Sequence, residues 1–223
     1  MFDRITHTSF LLLAALLLGG CEVAALVGGM AQNHEYQKQI EVLAEYDDLD
    51  DRTVAIFVNV DRVVMYEHAQ LLPVLAEALA VELQNKVPNA KVIDPGAVLA
   101  WQYRHPGWEL YGADEIFEEL KFDRMIIVDI YEYRLHPLGN RYEWDGVCAA
   151  EVRIYEAERL DPAEAVDRFD IVARFPDMTG IGRESASERA VVLGLMKKFV
   201  ERTIWLFHDH LEPKYPDKYR NMP

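Results

Sequence analysis

Two kinds of apolar pattern alternate along this chain of 223 residues. Continuous runs, Val54-Ala55-Ile56-Phe57-Val58 and Met125-Ile126-Ile127-Val128, predict strands covered on both faces. Between them Leu71, Leu72, Leu75, Leu79 and Leu83 recur at helical spacing, with Pro73 in the first turn where its missing N–H costs nothing. Lys91 to Asp94 predicts a short second strand, Asp94-Pro95 an N-cap followed by Pro at N1, and Ala113 to Leu120 a further helix.

After Val128 the period changes to two. Tyr131, Tyr133 and Leu135 alternate with Glu132 and Arg134. Every second residue from Tyr142 through Trp144, Gly146, Cys148, Ala150, Val152 and Ile154 is apolar or small, and Phe169, Ile171, Ala173 and Phe175 repeat the pattern. Turns at Pro137-Leu138-Gly139-Asn140 and Asp161-Pro162 separate these runs, so Met125 to Phe175 predicts an antiparallel meander with one wet face. Ser185-Ala186-Ser187-Glu188 has the form of a capping box. The helix it opens carries Leu193, Met196, Val200, Thr203, Ile204, Phe207 and Leu211 as a stripe to cover the sheet. Early strands that need crossover helices and later ones that need only turns predict an α/β fold, a two-layer or three-layer sandwich of a mixed sheet with covering helices.

The segment before Thr53 obeys neither pattern. Ser9 to Gly20 is uncharged and ends in Leu18-Gly19-Gly20-Cys21, the shape of a bacterial lipoprotein processing site: an apolar segment, small residues that leave the backbone open, then a thiol for a lipid. Residues 1–20 are thus expected to be a signal peptide, Cys21 the lipidated residue, 21–52 a tether, 53–212 one α/β domain and 213–223 a tail. The alternative is an uncleaved helix over Ser9 to Ala31, long enough for a bilayer. Two or three acyl chains, palmitate among them, make attachment stable, since each buried methylene contributes about 0.8 kcal/mol. Within the tether, Tyr36, Ile40, Leu43 and Tyr46 predict a short amphipathic helix over 34–46. Asp47 to Asp51 reads as a solvated linker, because the Gly and the closing Glu of a calcium loop are missing. Extended at about 3.3 Å per residue, the tether spans roughly 100 Å.

Charge narrows the partners. The formal balance of −15, from 23 basic and 38 acidic residues, disfavours nucleic acid and flat adhesion to anionic lipid. With Cys21 acylated, Cys148 has no partner within the chain for a disulfide, and its place in a strand pattern predicts a buried small apolar residue.

The order of elements across Thr53 to Leu211, behind Cys21, resembles a group of bacterial envelope lipoproteins: the curli-secretion lipoprotein, the activator lipoprotein of penicillin-binding proteins, and the related amino-terminal domain of TolB. Val54 to Val60, Leu71 to Leu83, Val92-Ile93-Asp94, and Ala113-Asp114 ahead of Met125 to Ile130 carry the resemblance. It implies an accessory or scaffold role in the cell envelope, with the lipid in the outer membrane facing the periplasm because Glu22 replaces the aspartate that retains such proteins in the inner membrane. Two features depart from the group. Glu158 to Pro162 stands where the group often has an Asp-x-x-Thr-Gly turn, and the pore-building hairpins of the secretion lipoprotein are missing.

Catalytic signatures do not emerge: the chain lacks a G-x-S-x-G elbow, a P-loop and a dinucleotide fingerprint. No cofactor or metal is expected. His208-Asp209-His210 points its imidazoles to different helical faces and reads as a complement to a helix C-terminus, and Met178 to Arg183 reads as a flexible connection. The remaining concentration is Trp101, Tyr103, Arg104, His105, Trp108 and Tyr111 around Pro106-Gly107. Trp, Tyr and Arg dominate binding hot spots, and such rings also stack on the sugars of a cell wall; packing at the edge of the core is the other reading. The expectation is a non-enzymatic protein that binds or positions an envelope partner, protein or peptidoglycan, through Trp101, Tyr103, Arg104, Trp108 and Tyr111. The alternatives are an envelope hydrolase with an unrecognised site and a ring-forming homo-oligomer.

Overall fold

The computed structural model describes residues 38–215. The leader, Cys21 and the first part of the tether lie outside the described residues. The elements are β1 (Gln39–Val42), β2 (Thr53–Val60), α1 (Arg62–Glu67), α2 (Leu71–Lys86), β3 (Lys91–Val92), α3 (Pro95–Arg104), α4 (Ala113–Leu120), β4 (Arg124–Arg134), β5 (Glu143–Trp144), β6 (Gly146–Glu156), β7 (Asp167–Phe175), β8 (Ile181–Gly182), α5 (Glu188–Ile204) and β9 (His210–Pro213). The described residues fall in two compact units, one of Val42–His210 and one of the segments that flank it. In the flanking unit β1 and β9 pair as a two-stranded sheet, extended by a bond from Lys214 N to Lys38 O of 2.9 Å. The amphipathic helix expected over 34–46 is thus replaced by a strand at Gln39–Val42, whose Gln-Ile-Glu-Val alternation suits a two-stranded ladder.

The larger unit is a mixed sheet of order β3-β2-β4-β6-β7. β2 runs parallel to β3 and β4, across the helical crossovers that parallel pairing requires, while β4, β6 and β7 form the antiparallel meander. Helices lie on both faces. On one, Val54, Ile56, Val58, Ile126, Val128, Cys148, Ala150, Val152 and Ile154 pack with α2 and α5. On the other, Ala55, Phe57, Met125, Ile127 and Tyr155 pack with α3 and α4. The three-layer form of the expected sandwich is the one adopted.

Local rules account for most boundaries. All five leucines of α2 are buried. Asp94 caps α3 through Gly96 N at 3.1 Å. Cys148 is buried, and burial raises its thiol pKa. A β-bulge at Tyr131 changes the parity of β4: Ile126, Val128 and Ile130 face the first core, and beyond the extra residue Tyr133 and Leu135 do so while Tyr131 stays 55% exposed.

Four expectations shift. The cap of α5 is Ser187, which accepts from Ala190 N at 3.3 Å, two residues past Ser185, the cap of the expected box. Its buried face is Val191, Leu195, Phe199, Val200, Thr203 and Ile204, with Leu193 exposed, and the helix stops at Ile204 rather than Leu211. Residues 178–183 are not merely a connection, since Ile181–Gly182 pairs with β5.

The fourth concerns the acidic segment. Tyr46 and Leu49 are core residues, 7% and 1% exposed, so residues 42–52 pack with the body instead of trailing as tether. One of its acids, Asp48, is held by Arg124, whose side chain is fully buried, while Asp47, Asp50 and Asp51 stay exposed. Arg124 Nε donates to Asp48 O at 3.1 Å and Nη1 to Asp123 O at 2.9 Å; Nη2 donates to Glu158 at 2.7 Å and also to the Asp48 carboxylate. Arg52 adds a second cation 3.3 Å from Glu158. Tyr46 completes the cluster by donating to Glu156 at 2.9 Å.

Gly146, the small residue that interrupts the aromatic alternation, sits where a Cβ would lie 2.7 Å from the Phe175 carbonyl oxygen and 3.2 Å from Leu195. Neither the paired strand nor the covering helix can yield cheaply. Gly146→Ala is expected to lower stability by about 1–3 kcal/mol, measured as a shift in the urea midpoint at unchanged slope.

Candidate functional site

The second face of the sheet changes character along its strands. Strand register lines up Ala55, Met125 and Tyr155 in one row, Phe57, Ile127, Arg153 and Arg168 in the next, and Asn59, Asp129, Glu151 and Asp170 in the third. The sheet thus passes from apolar to charged toward the C-terminal ends of β2 and β4. α3 and α4 cover the apolar rows. At the transition lies a cleft of about 90 Å³, lined by Asn59, Trp108, Glu109, Tyr111, Ile116, Ile127, Arg153 and Tyr155 among others. The carboxyl ends of parallel strands are where open α/β sheets commonly hold ligands.

Polar groups in its lining and just beneath it form a chain of contacts, Asn59, Arg153 and Tyr155 in the lining and Asp129 and Glu151 beside them. Asn59 Nδ2 donates to Asp129 Oδ1 at 3.1 Å, and Arg153 Nη2 donates to Asp129 Oδ2 at 3.4 Å. Arg153 Nη1 reaches the Tyr155 hydroxyl at 3.4 Å. Arg153 Nε lies 3.0 Å from Glu151 without hydrogen-bond alignment, so that buried N–H lacks a partner among the described residues. Three acids side by side, Asp129, Glu151 and Asp170, repel one another across the strands. Arg153 and, at 3.9 Å from Glu151, Arg168 offset part of that repulsion.

The aromatic segment expected to contact a partner divides in two. Trp101 and Trp108 are 1% and 5% exposed and pack around Phe57, with centroids 5.9 and 5.2 Å from its ring. They are core residues, sharing the space over β2 with Val98, Ile116, Phe117 and Phe122. Trp101 Nε1 has no hydrogen-bond partner in that core. Tyr103 is 71% exposed, and Arg104, also exposed, donates back to Ala100 O at 3.1 Å; neither lines the cleft. His105 stacks on Trp101 at 4.3 Å, and its Nδ1 donates to Trp101 O, 2.9 Å away. Tyr111, 40% exposed, meets Trp101 edge-on and also lines the cleft, so it joins the buried aromatics to the opening.

Sequence reasoning missed Asn59, Asp129, Glu151 and Arg153. The available signal was the first polar residue after each continuous apolar strand, Asn59 after Val54–Val58 and Asp129 after Met125–Val128. Arg153 and Glu151 occupy the polar positions of an alternating strand, which pattern alone assigns to solvent.

The histidine pair does not gather a metal site. His208 Nδ1 contacts Asp209 O at 2.8 Å, Asp209 accepts from Ala44 N at 2.9 Å, and His210 stacks on Trp205 at 4.6 Å. Among the described residues no group of three or more His, Cys, Asp or Glu side chains is arranged to hold a metal ion. No described helix is long and apolar enough to cross a membrane.

No family model matches the chain, and no curated protein matches it. Solved structures do. A PelC dodecamer from Paraburkholderia phytofirmans is 10% identical, with 77% of this chain and 98% of that one covered at a TM-score of 0.45. The lipoprotein GNA1162 from Neisseria meningitidis is 9% identical over 65% and 93%, at 0.37. Protein XCC0632 from Xanthomonas campestris is 9% identical over 72% and 82%, at 0.44.

Proposed function

We propose that this chain is a lipid-anchored envelope protein that binds or positions a periplasmic partner, protein or peptidoglycan, without catalysing a reaction on it. Acylation at Cys21 holds it to the outer membrane, and the body meets its partner at the cleft beside Tyr111. One observation carries the binding part of the reading: a half-exposed tyrosine stands at the mouth of a polar cleft, backed by Trp101 and Trp108 in a packed core. A ring held on so rigid a base loses little entropy on contact, which is what makes Tyr a common anchor. The cleft lining among the described residues offers a single carboxylate, Glu109, and no Ser, Thr, Cys, His or Lys side chain; glycoside hydrolysis ordinarily uses two carboxyl groups, so this lining favours binding. The sequence resemblance to envelope lipoproteins points the same way.

The test places a photo-crosslinking residue at position 111 in intact cells, with position 103 as a second probe. An adduct with an envelope component at position 111, in a membrane fraction from which Cys21→Ser protein is absent, supports the proposal. Crosslinking from neither position, or recovery of the unacylated chain from the cytosol, overturns it.

A further inference from the structure

We infer that the cleft accepts an uncharged sugar ring, with hydroxyl or acetamido oxygens on Arg153 and Asn59 and an apolar ring face against Tyr111. This deepens the proposed function and rests on the cleft being the binding site.

Charge decides the ligand class first. Arg153 is the single cationic side chain in the lining, and Asp129 and Glu151 lie within 3.4 Å of it, with Glu109 also at the cleft. A carboxylate or phosphate would enter against a local excess of negative charge, and the net charge of −15 adds to the barrier. A cation would meet Arg153 itself. A neutral ligand avoids both.

Hydrogen-bond capacity decides next. Arg153 Nε is buried against Glu151 at 3.0 Å, while its Nη1 and Nη2 contacts to the Tyr155 hydroxyl and Asp129 are long, both 3.4 Å. Hydrogen bonds that long are weak, so an acceptor oxygen closer to the Nη atoms makes a better bond than either. Arg153 donates only, and Asn59 both donates and accepts. A hydroxyl that accepts from the first and donates to the second pairs with both. Neighbouring hydroxyls on one ring repeat that pairing at a fixed spacing, which water does only with loss of order.

Size and shape agree. About 90 Å³ is room for several waters, each needing about 10–15 Å³ in the same measure, and hence for one edge of a six-membered ring rather than a whole oligosaccharide. Tyr111 supplies an exposed aromatic surface at the mouth, while Ile116, Ile127 and Met125 give the interior an apolar wall. Polar edges with one aromatic face match the two-sided character of a sugar.

The experiment is ligand-observed NMR on the full chain in detergent, with methyl glycosides of neutral hexoses, N-acetylglucosamine and its neutral β-1,4 dimer, a methyl uronate, and inorganic phosphate as probes. At least one neutral sugar is expected to bind with a dissociation constant on the order of a millimolar. Tyr111→Ala and Asn59→Ala are each expected to weaken it at least tenfold, with circular dichroism and the urea midpoint unchanged to show that the fold is intact. The uronate and phosphate are expected to bind at least tenfold more weakly than that sugar. Binding of no neutral sugar overturns the inference, as does equal or tighter binding of the anions, or neutral-sugar binding that both variants leave untouched. If position 111 still crosslinks to an envelope protein while every sugar fails, the sugar is refuted and the broader function stands; failure of both experiments removes both.

Discussion

Asp48→Asn combined with Glu158→Gln is expected to lower the stability of the folded body by about 3–5 kcal/mol, and by more than Arg124→Met does. The asymmetry follows from where the charges lie. Arg124 is fully buried, while the Asp48 and Glu158 side chains are about half exposed, 49% and 48%. Removing the carboxylates strands a cation in a place water does not reach. Removing the cation leaves two acids that water can rehydrate, and a methionine fills part of the volume. Urea titrations of the double variant, of Arg124→Met and of the triple variant check this. Equal losses in the double variant and Arg124→Met would mean that packing rather than charge sets the cost. The triple variant, with neither sign of charge, is expected to be more stable than the double.

The same cluster makes stability fall in acid. Its hydrogen bond to Arg124, against some opposing burial, pulls the Glu158 carboxyl down to about 2. A carboxyl depressed in the folded state contributes stability that is present above its ordinary value near 4.5 and is lost as pH falls through 2. The loss is expected between those limits, and Glu158→Gln is expected to flatten it.

Phe57→Ala is expected to cost about 3–5 kcal/mol and to abolish binding at the cleft together. Phe57 is 0% exposed and touches three rings, those of Trp101, Trp108 and Phe122, with centroids 5.2–6.2 Å away. Its removal leaves a cavity under Trp108, which lines the cleft, and beside Trp101, against which Tyr111 rests. Tyr103→Ala, by contrast, removes a ring that is 71% exposed and is expected to change stability by less than about 0.5 kcal/mol. Thermal unfolding followed by tryptophan fluorescence, with crosslinking from position 111 in the variant, measures both effects. A Phe57→Ala chain that unfolds like the unaltered protein would show that the second core adds little.

Legibility differed by kind of element. α2, α3 and α4 were readable because leucine spacing, an Asp-Pro cap and a short amphipathic run are local signals. The start of α5 was displaced by two residues because Ser185 and Ser187 both have capping chemistry, and the choice depends on where Val191 and Leu195 meet the sheet. Its end was overestimated because Phe207 and Leu211 continue the helical period, while Trp205–Phe207 tightens into a 3₁₀ turn that the chain leaves as extended backbone. Asp48 was read with its exposed neighbours as solvated because its partner, Arg124, is distant in sequence. The candidate site was the least legible part. Tyr111 and Trp108 were found by composition, but the lining residues Asn59 and Arg153, and Asp129 and Glu151 beside them, come from three strands and meet only once those are in register.

What the amino-acid order determined alone is therefore what neighbouring residues decide between themselves: the mixed α/β class, the two continuous strands, the meander and most caps. Tertiary structure decided which aromatics face inward, that Tyr46, Asp48 and Leu49 belong to the body, and that a cleft forms where apolar rows give way to charged ones. Periodicity records only that a side chain has a buried or a wet side. Which partner waits on that side depends on strand register and helix placement, and those are settled by contacts between residues far apart in the chain.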